Sequence, residues 1–291
     1  MRTYLDCYPC FLRQALDVAR VNGASEPEQR AILSQVMQVL DKADLAATPP
    51  EIGYQVHRIV RAALQVDDPY ATQKAESTRL ALDLYPYLKS LVAQAADPLE
   101  AGVRLAITGN LIDYGPPGAP AESAVLRAAV DRALQQPLAI DDLETFRRRL
   151  AETDHVLYLA DNAGETVFDR VLIEVVAKPT TYVVKGGPVL NDATRADALA
   201  AGLDQVAQIM DNGSDAPGTI LDLCSAALRE HFDAASLVVA KGQANYETLS
   251  DNAREIFFLL QVKCPVIAGH AGTLVGSMVI QRSSSAARRN H

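Results

Sequence analysis

Residues 155–176, HVLYLADNAGETVFDRVLIEVV, decide the fold. A short run of apolar and β-branched residues meets Asp, Asn and Gly, and a helical pattern follows at once. The same order returns in TTYVVKGGPVLNDATRADALA (180–200), QVAQIMDNGSDAPGTILDLCSAAL (205–228) and ASLVVAKGQANYETLS (235–250). Strands that alternate with helices of this length predict βαβ units around a parallel sheet, and therefore an α/β protein.

The first ~100 residues follow a different pattern, because their apolar positions are spaced three and four apart as in amphipathic helices. PEQRAILSQVMQVLDKADL (27–45) is one of several such segments, and no run of β type separates them. Pro86 is expected to interrupt or kink the fourth segment, since proline removes a helix hydrogen bond. The sequence thus predicts a helical domain over 1–98, an α/β domain over 99–282 and a flexible tail over 283–291.

Composition and charge exclude several classes of protein. The 291 residues include 27 Lys+Arg and 36 Asp+Glu, a formal net charge of −9, and 49% are apolar, which is typical of globular chains. An acidic balance disfavours nucleic acid as a partner, because phosphates must be neutralised by Lys and Arg. No apolar run approaches the ~18 residues of a membrane helix, and MRTYLDCYPC lacks the apolar stretch of a signal peptide. We therefore expect a cytoplasmic protein without a membrane partner; the oligomeric state stays open.

Four cysteines are too few for a disulfide scaffold in a chain of this length. Cys7 and Cys10 form a CxxC pair, whereas Cys224 and Cys264 stand alone. A zinc site usually needs a second pair or close histidines, and a redox CxxC usually follows a strand. This pair instead opens a helix, so the interpretation is two thiols that help to seat the first helix.

Polar residues stand directly after each predicted strand. The carboxyl ends of parallel strands meet at one edge of a sheet, where ligands bind, so these residues are expected to be neighbours in space. In chain order they are Asp161, Asn162, Glu165, Lys185, Gly186, Gly187, Asn191, Asp192, Asp211, Asn212, Asp215, Lys241, Gly242, Gln243, Asn245 and Glu247.

Three of these side chains suit a divalent cation. Asp161, Asn162 and Asp192 offer the carboxylate and amide oxygens that Mg²⁺ and Mn²⁺ prefer. Lys185 and Lys241 can then face an anion, because lysine acts as a point charge on phosphate. Helix capping does not explain these two lysines, since cations are disfavoured at helix N-termini. The pattern predicts a site for a phosphorylated small molecule bridged by a divalent metal.

Each loop taken alone also fits a helix cap or a turn, where Asp and Asn are common. Asp211, Asn212 and Asp215 come without a lysine and are interpreted in that way. The sequence has no GxxxxGK[ST], GxGxxG, GxSxG or HExxH motif. It also lacks, two positions after Asp161, the second Asp that haloacid-dehalogenase phosphatases use, so a simple member of that family is not expected.

Taken in order, the loops ADNAGE (160–165), VKGGPVLNDAT (184–194) and AKGQANYETL (240–249) resemble those of the damage-control phosphatases, catalogued as domain of unknown function 89. The motifs that match its CxxC-bearing prokaryotic branch are DCYPCFLRQAL (6–16), GNLIDYG (109–115) and LLQVKCPVIA (259–268). The similarity covers essentially the whole chain short of the tail.

The resemblance implies an N-terminal helical region and a Rossmann-like α/β/α sandwich with a mostly parallel sheet. It implies a metal-dependent phosphatase that hydrolyses small phosphate-ester metabolites in a damage-control role. Asp161, Asn162 and Asp192 match the family's metal ligands, and Mg²⁺, Mn²⁺, Co²⁺ and Ni²⁺ are the cations to screen. The residues expected around the phosphorylated substrate are Asn110, Asp113, Glu165, Lys185, Asn191, Gln243, Asn245, Glu247 and Lys263.

The mechanism expected from these residues is phosphoryl transfer, which needs mainly positioning and charge stabilisation. The cation polarises phosphorus, and Lys241, together with Lys185 and Lys263, neutralises charge on the other oxygens. The attacking group is either a metal-activated water or a carboxylate, Asp161 or Asp192, that forms a phospho-enzyme. The sequence leaves both alternatives open.

Two other functions remain open at this point. One is an S-adenosylmethionine-dependent carboxyl methyltransferase, although the first loop lacks the glycine-rich turn that would favour it. The other is a non-catalytic protein that binds the same phosphorylated metabolite.

Overall fold

The computed structural model describes residues 1–110 and 123–283, without the side chains of 123–125. Within these residues seven strands form one sheet in the order β1-β7-β6-β5-β2-β3-β4. Neighbouring strands are parallel except β6 and β7, which are antiparallel. The predicted α/β class with a mostly parallel sheet is confirmed.

The strands are β1 (Leu138–Asp141), β2 (Val156–Leu159), β3 (Thr180–Val184), β4 (Gln208–Asp211), β5 (Val238–Lys241), β6 (Ile256–Gln261) and β7 (Met278–Arg282). The helices are α1 (Tyr8–Val21), α2 (Glu26–Asp41), α3 (Pro49–Leu64), α4 (Ala71–Gln94), α5 (Pro98–Thr108), α6 (Ser123–Gln135), α7 (Leu143–Glu152), α8 (Thr166–Val176), α9 (Arg195–Ala200), α10 (Ala226–Ala234), α11 (Gly242–Leu249) and α12 (Pro265–Ala271).

The sheet carries one hydrophobic core on each face, because alternate strand residues point to opposite sides. Tyr158, Val239 and Phe257 face a core that also holds residues of α4 to α9. Leu157 and Phe258 face a second core, built with α10, α11 and α12. The central strands are therefore buried on both sides, which explains their nearly continuous apolar sequences.

A third core lies within the first three helices. Phe11 of α1, Val36 of α2 and Val56 of α3 belong to it, and α3 also contacts α11. The apolar face of α4 does not join this core, because Leu84 and Leu88 pack into the sheet core beside α8. The predicted domain boundary at residue 98 stays a prediction. The packing changes earlier in the chain, after α3, because α4 packs against the sheet core.

Three local features differ from the patterns in the sequence. α4 continues through Pro86, so packing against the sheet core outweighs the hydrogen bond that proline removes. β1 precedes α7 and pairs with β7. Its four residues are too few to give a clear strand pattern in the sequence. After β4 the next helix, α10, begins only at Ala226.

None of the helices in the described ranges is long and apolar enough to cross a membrane.

Candidate active site

The candidate site lies where the strand order reverses. The strands β3 and β4, which follow β2 in the chain, lie on one side of β2, whereas β5 and β6 lie on its other side. Asp161 follows β2, Lys185 follows β3, and Lys241 ends β5. The carboxyl ends of these three strands therefore meet at the switch point, which is the usual ligand position in open α/β sheets.

Main-chain bonds join the loop after β2 to the loop after β3. The Ala193 N–H donates to the Asp161 carbonyl at 2.8 Å, and Asn162 and Asp192 form an antiparallel bridge. Leu190 has the left-handed φ of +47°, which is uncommon for a residue with a side chain and turns the chain just before this bridge. The fold thus brings together the three predicted metal ligands, Asp161, Asn162 and Asp192, which we call the floor.

The amide of Asn162 has one orientation that its partners permit. Its Nδ2 donates to Asp161 Oδ2 at 3.1 Å and to Glu165 Oε1 at 2.7 Å. Both hydrogens of Nδ2 are engaged by these carboxyl groups, so the amide oxygen Oδ1 points away from them.

The floor also fits a cation by its electrostatics. Its three side chains are at most 7% exposed, and Asp192 Oδ2 is a buried oxygen without a hydrogen-bond donor in the described part of the chain. The Lys185 ammonium lies 3.4 Å from that oxygen, at ion-pair distance but without hydrogen-bond geometry. Burial raises the pKa of Asp161 well above its ordinary value, and Glu165 and Asp192 add to this. A divalent cation would relieve that crowding of negative charge.

The floor supplies only part of a metal coordination shell. Among the described residues no three His, Cys, Asp or Glu side chains converge as a metal site. The floor offers two carboxylates and one amide oxygen, so a cation bound there would take further oxygens from water or substrate, as Mg²⁺ commonly does.

Gly242 allows β5 to approach the floor. Its φ is +76°, and a Cβ at this position would lie 1.9 Å from Asp161 Oδ2. Any other residue would therefore displace the first predicted metal ligand, which is why glycine follows Lys241.

Lys241 does not occupy the position that we predicted for it. Its ammonium is 1% exposed, and it donates to Glu165 Oε2 at 2.8 Å and to Asp169 Oδ1 at 2.7 Å. Burial lowers the pKa of Lys241, but Asp169 and Glu165 outweigh it, so the pKa lies above its ordinary value. The ammonium is held by two carboxylates behind the floor, and its contact with a phosphoryl group stays a prediction.

Other predicted substrate residues also have protein partners. Asn245 is fully buried, and its Nδ2 donates to the carbonyls of Ala160 and Lys241 at 3.0 and 2.8 Å. Lys185 donates to the Gly218 carbonyl, and Asn110 donates through Nδ2 to Glu165. These contacts tie the loops together. Asp113 lies outside the described residues.

The floor opens into a cleft of about 720 Å³ between the sheet edge and the helices α1, α3 and α4. Of the predicted substrate residues, Asn191, Gln243, Glu247 and Lys263 line it. Lys263 lines the same cleft as Asp161, and its positive charge lowers the pKa of that carboxyl. Burial raises the pKa of Glu247 to about 7, so this carboxyl carries a proton for part of the neutral range.

The opposite side of the cleft, which we call the wall, consists of cleft-lining residues from α1, α3, α4 and the segment before α1. They are Asp6, Cys7, Cys10, Phe11, Gln14, Asp17, Val21, Pro49, Pro50, Gly53, His57, Gln73, Glu76, Ser77 and Leu80. Sequence reasoning did not place these residues at the site, apart from noting the CxxC pair. The pair lies at the cleft, where Cys7 is half-buried and Cys10 is exposed.

Sequence reasoning also missed Asp169, Tyr158 and Tyr182. Asp169 lies four residues after Glu165 in the apolar helix TVFDRVLIEVV and is 0% exposed. An acidic residue on the buried face of a helix is rare unless it is paired, and that was the available signal.

Comparison with known proteins places this chain in one family. The ARMT1-like damage-control phosphatase domain matches residues 3–279. A damage-control phosphatase of Archaeoglobus fulgidus is 38% identical over 233 residues, which are 78% of this chain and 80% of that protein. A damage-control phosphatase of Pyrococcus horikoshii is 30% identical over 289 residues, 97% of this chain and 99% of that protein.

A solved structure agrees with this match. The crystal structure of a protein of the domain of unknown function 89 family from Pyrococcus horikoshii aligns with a TM-score of 0.89 at 29% identity. The alignment covers 97% of this chain and 99% of that one. Sequence and fold thus agree over nearly the whole length, and the chain belongs to the family of ARMT1-like damage-control phosphatase domains.

Proposed function

We propose that this protein is a divalent-metal-dependent phosphatase that hydrolyses small phosphate monoesters. The observation that carries the proposal is the floor, where two buried carboxylates and one oriented amide oxygen meet in a cleft that Lys263 also lines. The names of the relatives, damage-control phosphatases, support hydrolysis of a phosphate ester. The expected cytoplasmic location stays a prediction.

Asp161, Asn162 and Asp192 would hold the cation, which when bound polarises a phosphoryl oxygen as a Lewis acid. Lys263 offers positive charge to the other phosphoryl oxygens, because it lines the same cleft as Asp161. Gln243 donates through Nε2 to Glu247 Oε1 at 3.1 Å, which fixes both side chains on the sheet side of the cleft. Glu247 in its protonated form presents a hydrogen-bond donor rather than a negative charge to an incoming ester.

The test is phosphate release from a panel of phosphomonoesters after chelation and after addition of Mg²⁺, Mn²⁺, Co²⁺ or Ni²⁺. We expect chelation to abolish release and one of these cations to restore it. Asp161→Asn keeps the size of the side chain but removes its charge. Because metal-ion catalysis is worth several kcal/mol, the rate should fall about 10³-fold. Asp222→Asn, an exposed carboxylate outside the cleft, is the matched control and should leave the rate unchanged.

A full rate in metal-free protein would contradict the proposal, and so would an unchanged rate in Asp161→Asn. Methyl transfer from S-adenosylmethionine without phosphate release would favour the methyltransferase instead. Tight binding of a phosphate ester without turnover would favour a binding protein.

A further inference from the structure

We propose that Asp169 is a positioning residue of the metal site, which acts through Lys241 and Glu165 to fix the side chain of Asn162. The inference rests on the proposed function, because it takes Asn162 as a ligand of the cation. Asp169 is 0% exposed and is not among the described residues that line the cleft. Its effect on the site must therefore pass through other side chains.

The first step is the attachment of Asp169 to the sheet. Tyr158 donates to its Oδ1 and Tyr182 to its Oδ2, both at 2.7 Å. The two tyrosines are register partners on β2 and β3, and their rings stack with centroids 5.4 Å apart. Both tyrosines are buried with the carboxylate, so Asp169 is held by two neighbouring strands of the sheet.

The second step is the pairing of Lys241. Its Nζ donates to Asp169 Oδ1 at 2.7 Å and to Glu165 Oε2 at 2.8 Å. All three side chains are at most 1% exposed, so water cannot replace either carboxylate. An unpaired charge in such an environment is costly, and the ammonium therefore holds Glu165 at a fixed distance from Asp169.

The third step connects Glu165 to the floor. Its Oε2 is engaged by Lys241, and its Oε1 accepts from Asn162 Nδ2 at 2.7 Å and from Asn110. The second hydrogen of the Asn162 amide goes to Asp161 Oδ2 at 3.1 Å. With both amide hydrogens engaged, Oδ1 is turned away from the carboxylates, and Asn162 lines the cleft. Release of Glu165 would free this amide to rotate or flip.

A purely structural role for the cluster is the main alternative. Well-packed apolar side chains would stabilise a core at least as well as a buried ion cluster does. This cluster instead lies directly behind the floor and ends on one of its three members. Outer partners of this kind orient metal ligands, and their loss typically lowers metal affinity by about 10–100-fold.

The experiment measures Mn²⁺ binding by calorimetry, with thermal unfolding of the metal-free protein recorded alongside. Asp169→Asn removes the negative charge but retains the shape of the side chain, and Tyr182→Phe removes only one anchor. Tyr85→Phe is the matched control, because Tyr85 donates to Glu174 at 2.6 Å and is not a cleft residue. We expect the Mn²⁺ Kd to rise at least about tenfold in Asp169→Asn and about threefold in Tyr182→Phe, and to stay unchanged in Tyr85→Phe.

A second readout separates positioning from loss of structure. Excess Mn²⁺ should restore most of kcat in Asp169→Asn, because mass action refills a weakened site. A folded Asp169→Asn with a Kd within twofold of the original protein overturns the inference. If that variant does not fold, an unchanged Kd in Tyr182→Phe overturns it as well. Failure of the unaltered protein to bind any divalent cation overturns the proposed function, and the inference falls with it.

Discussion

The floor and the wall of the cleft are built in different ways. The floor side chains are at most 7% exposed, and hydrogen bonds to buried carboxylates orient Asn162. On the wall, Cys10, Asp17 and Glu76 are exposed. Groups that hold a cation or take part in catalysis need fixed geometry. Changes in the floor and behind it should therefore alter stability and chemistry, while changes at the exposed positions of the wall should be tolerated.

The largest effect is expected behind the floor. Lys241→Met keeps a long side chain but leaves Glu165 and Asp169 buried without their common cation. Removal of one partner of a buried ion pair costs about 3–5 kcal/mol, so the free energy of unfolding should fall by that amount. Urea denaturation of the metal-free protein measures it.

The matched control is Lys89→Met, because Lys89 pairs with Glu174 while its side chain is 48% exposed. An exposed pair contributes about 0–1 kcal/mol, so this variant should stay close to the original stability. Equal losses of unfolding free energy in the two variants would mean that the buried ion cluster behind the floor is no more sensitive than an exposed ion pair.

The sequence allowed the floor to be predicted because strand ends in a parallel sheet must converge. The location of Asp161 and Asp192 at this edge was predicted from the positions of β2 and β3 along the chain. The environment of Lys241 could not be predicted in this way, because it depends on how α8 is rotated against the sheet. That rotation turns Glu165 and Asp169, four residues apart on one helical face, toward β5.

The composition of the wall was hidden for a different reason. Helical periodicity identifies which face of a helix is buried, but it does not show how a helical unit docks on a sheet. The periodicity of α1 and α3 therefore assigns no role to Gln14 or His57, although the docking of these helices brings both residues to the cleft. The same limit applies to α4, whose packing against α8 carries the helix through Pro86.

A middle-sized effect should distinguish the two sides of the cleft by pH. On the sheet side, burial raises the pKa of Glu247 from 4.5 to about 7, with Gln243 and the terminal amino group opposing. The folded state then binds this proton more tightly than the unfolded state. The stabilisation is full below pH 4.5 and is lost as the pH rises through 7.

On the wall, burial and the nearby Arg61 lower the pKa of His57 from 6.5 to about 4. The folded state favours neutral His57, so its contribution is full above pH 6.5 and is lost as the pH falls through 4. Unfolding free energies of Glu247→Gln and His57→Gln, each compared with the original protein across pH 4–8, should therefore differ with opposite slopes. Parallel pH curves for both variants and the original protein would contradict these assignments.

The smallest effect is expected from the thiols of the wall. Cys10 Sγ lies 4.0 Å from the Asp6 carbonyl, at the limit of a weak hydrogen bond, and Cys7 packs half-buried beside the core of α1 to α3. In the described ranges these thiols do not belong to a set of metal-binding side chains. The double variant Cys7→Ser, Cys10→Ser should therefore keep kcat/KM within about threefold and lose at most about 1 kcal/mol of stability. Cys224→Ser is the contrasting variant, because that thiol is buried and donates to the Ile220 carbonyl at 3.3 Å.

The decisive measurement is the metal content of the purified double variant. Stoichiometric loss of bound metal would mean that the wall, and not only the floor, holds a cation, and the division between the two regions would then fail.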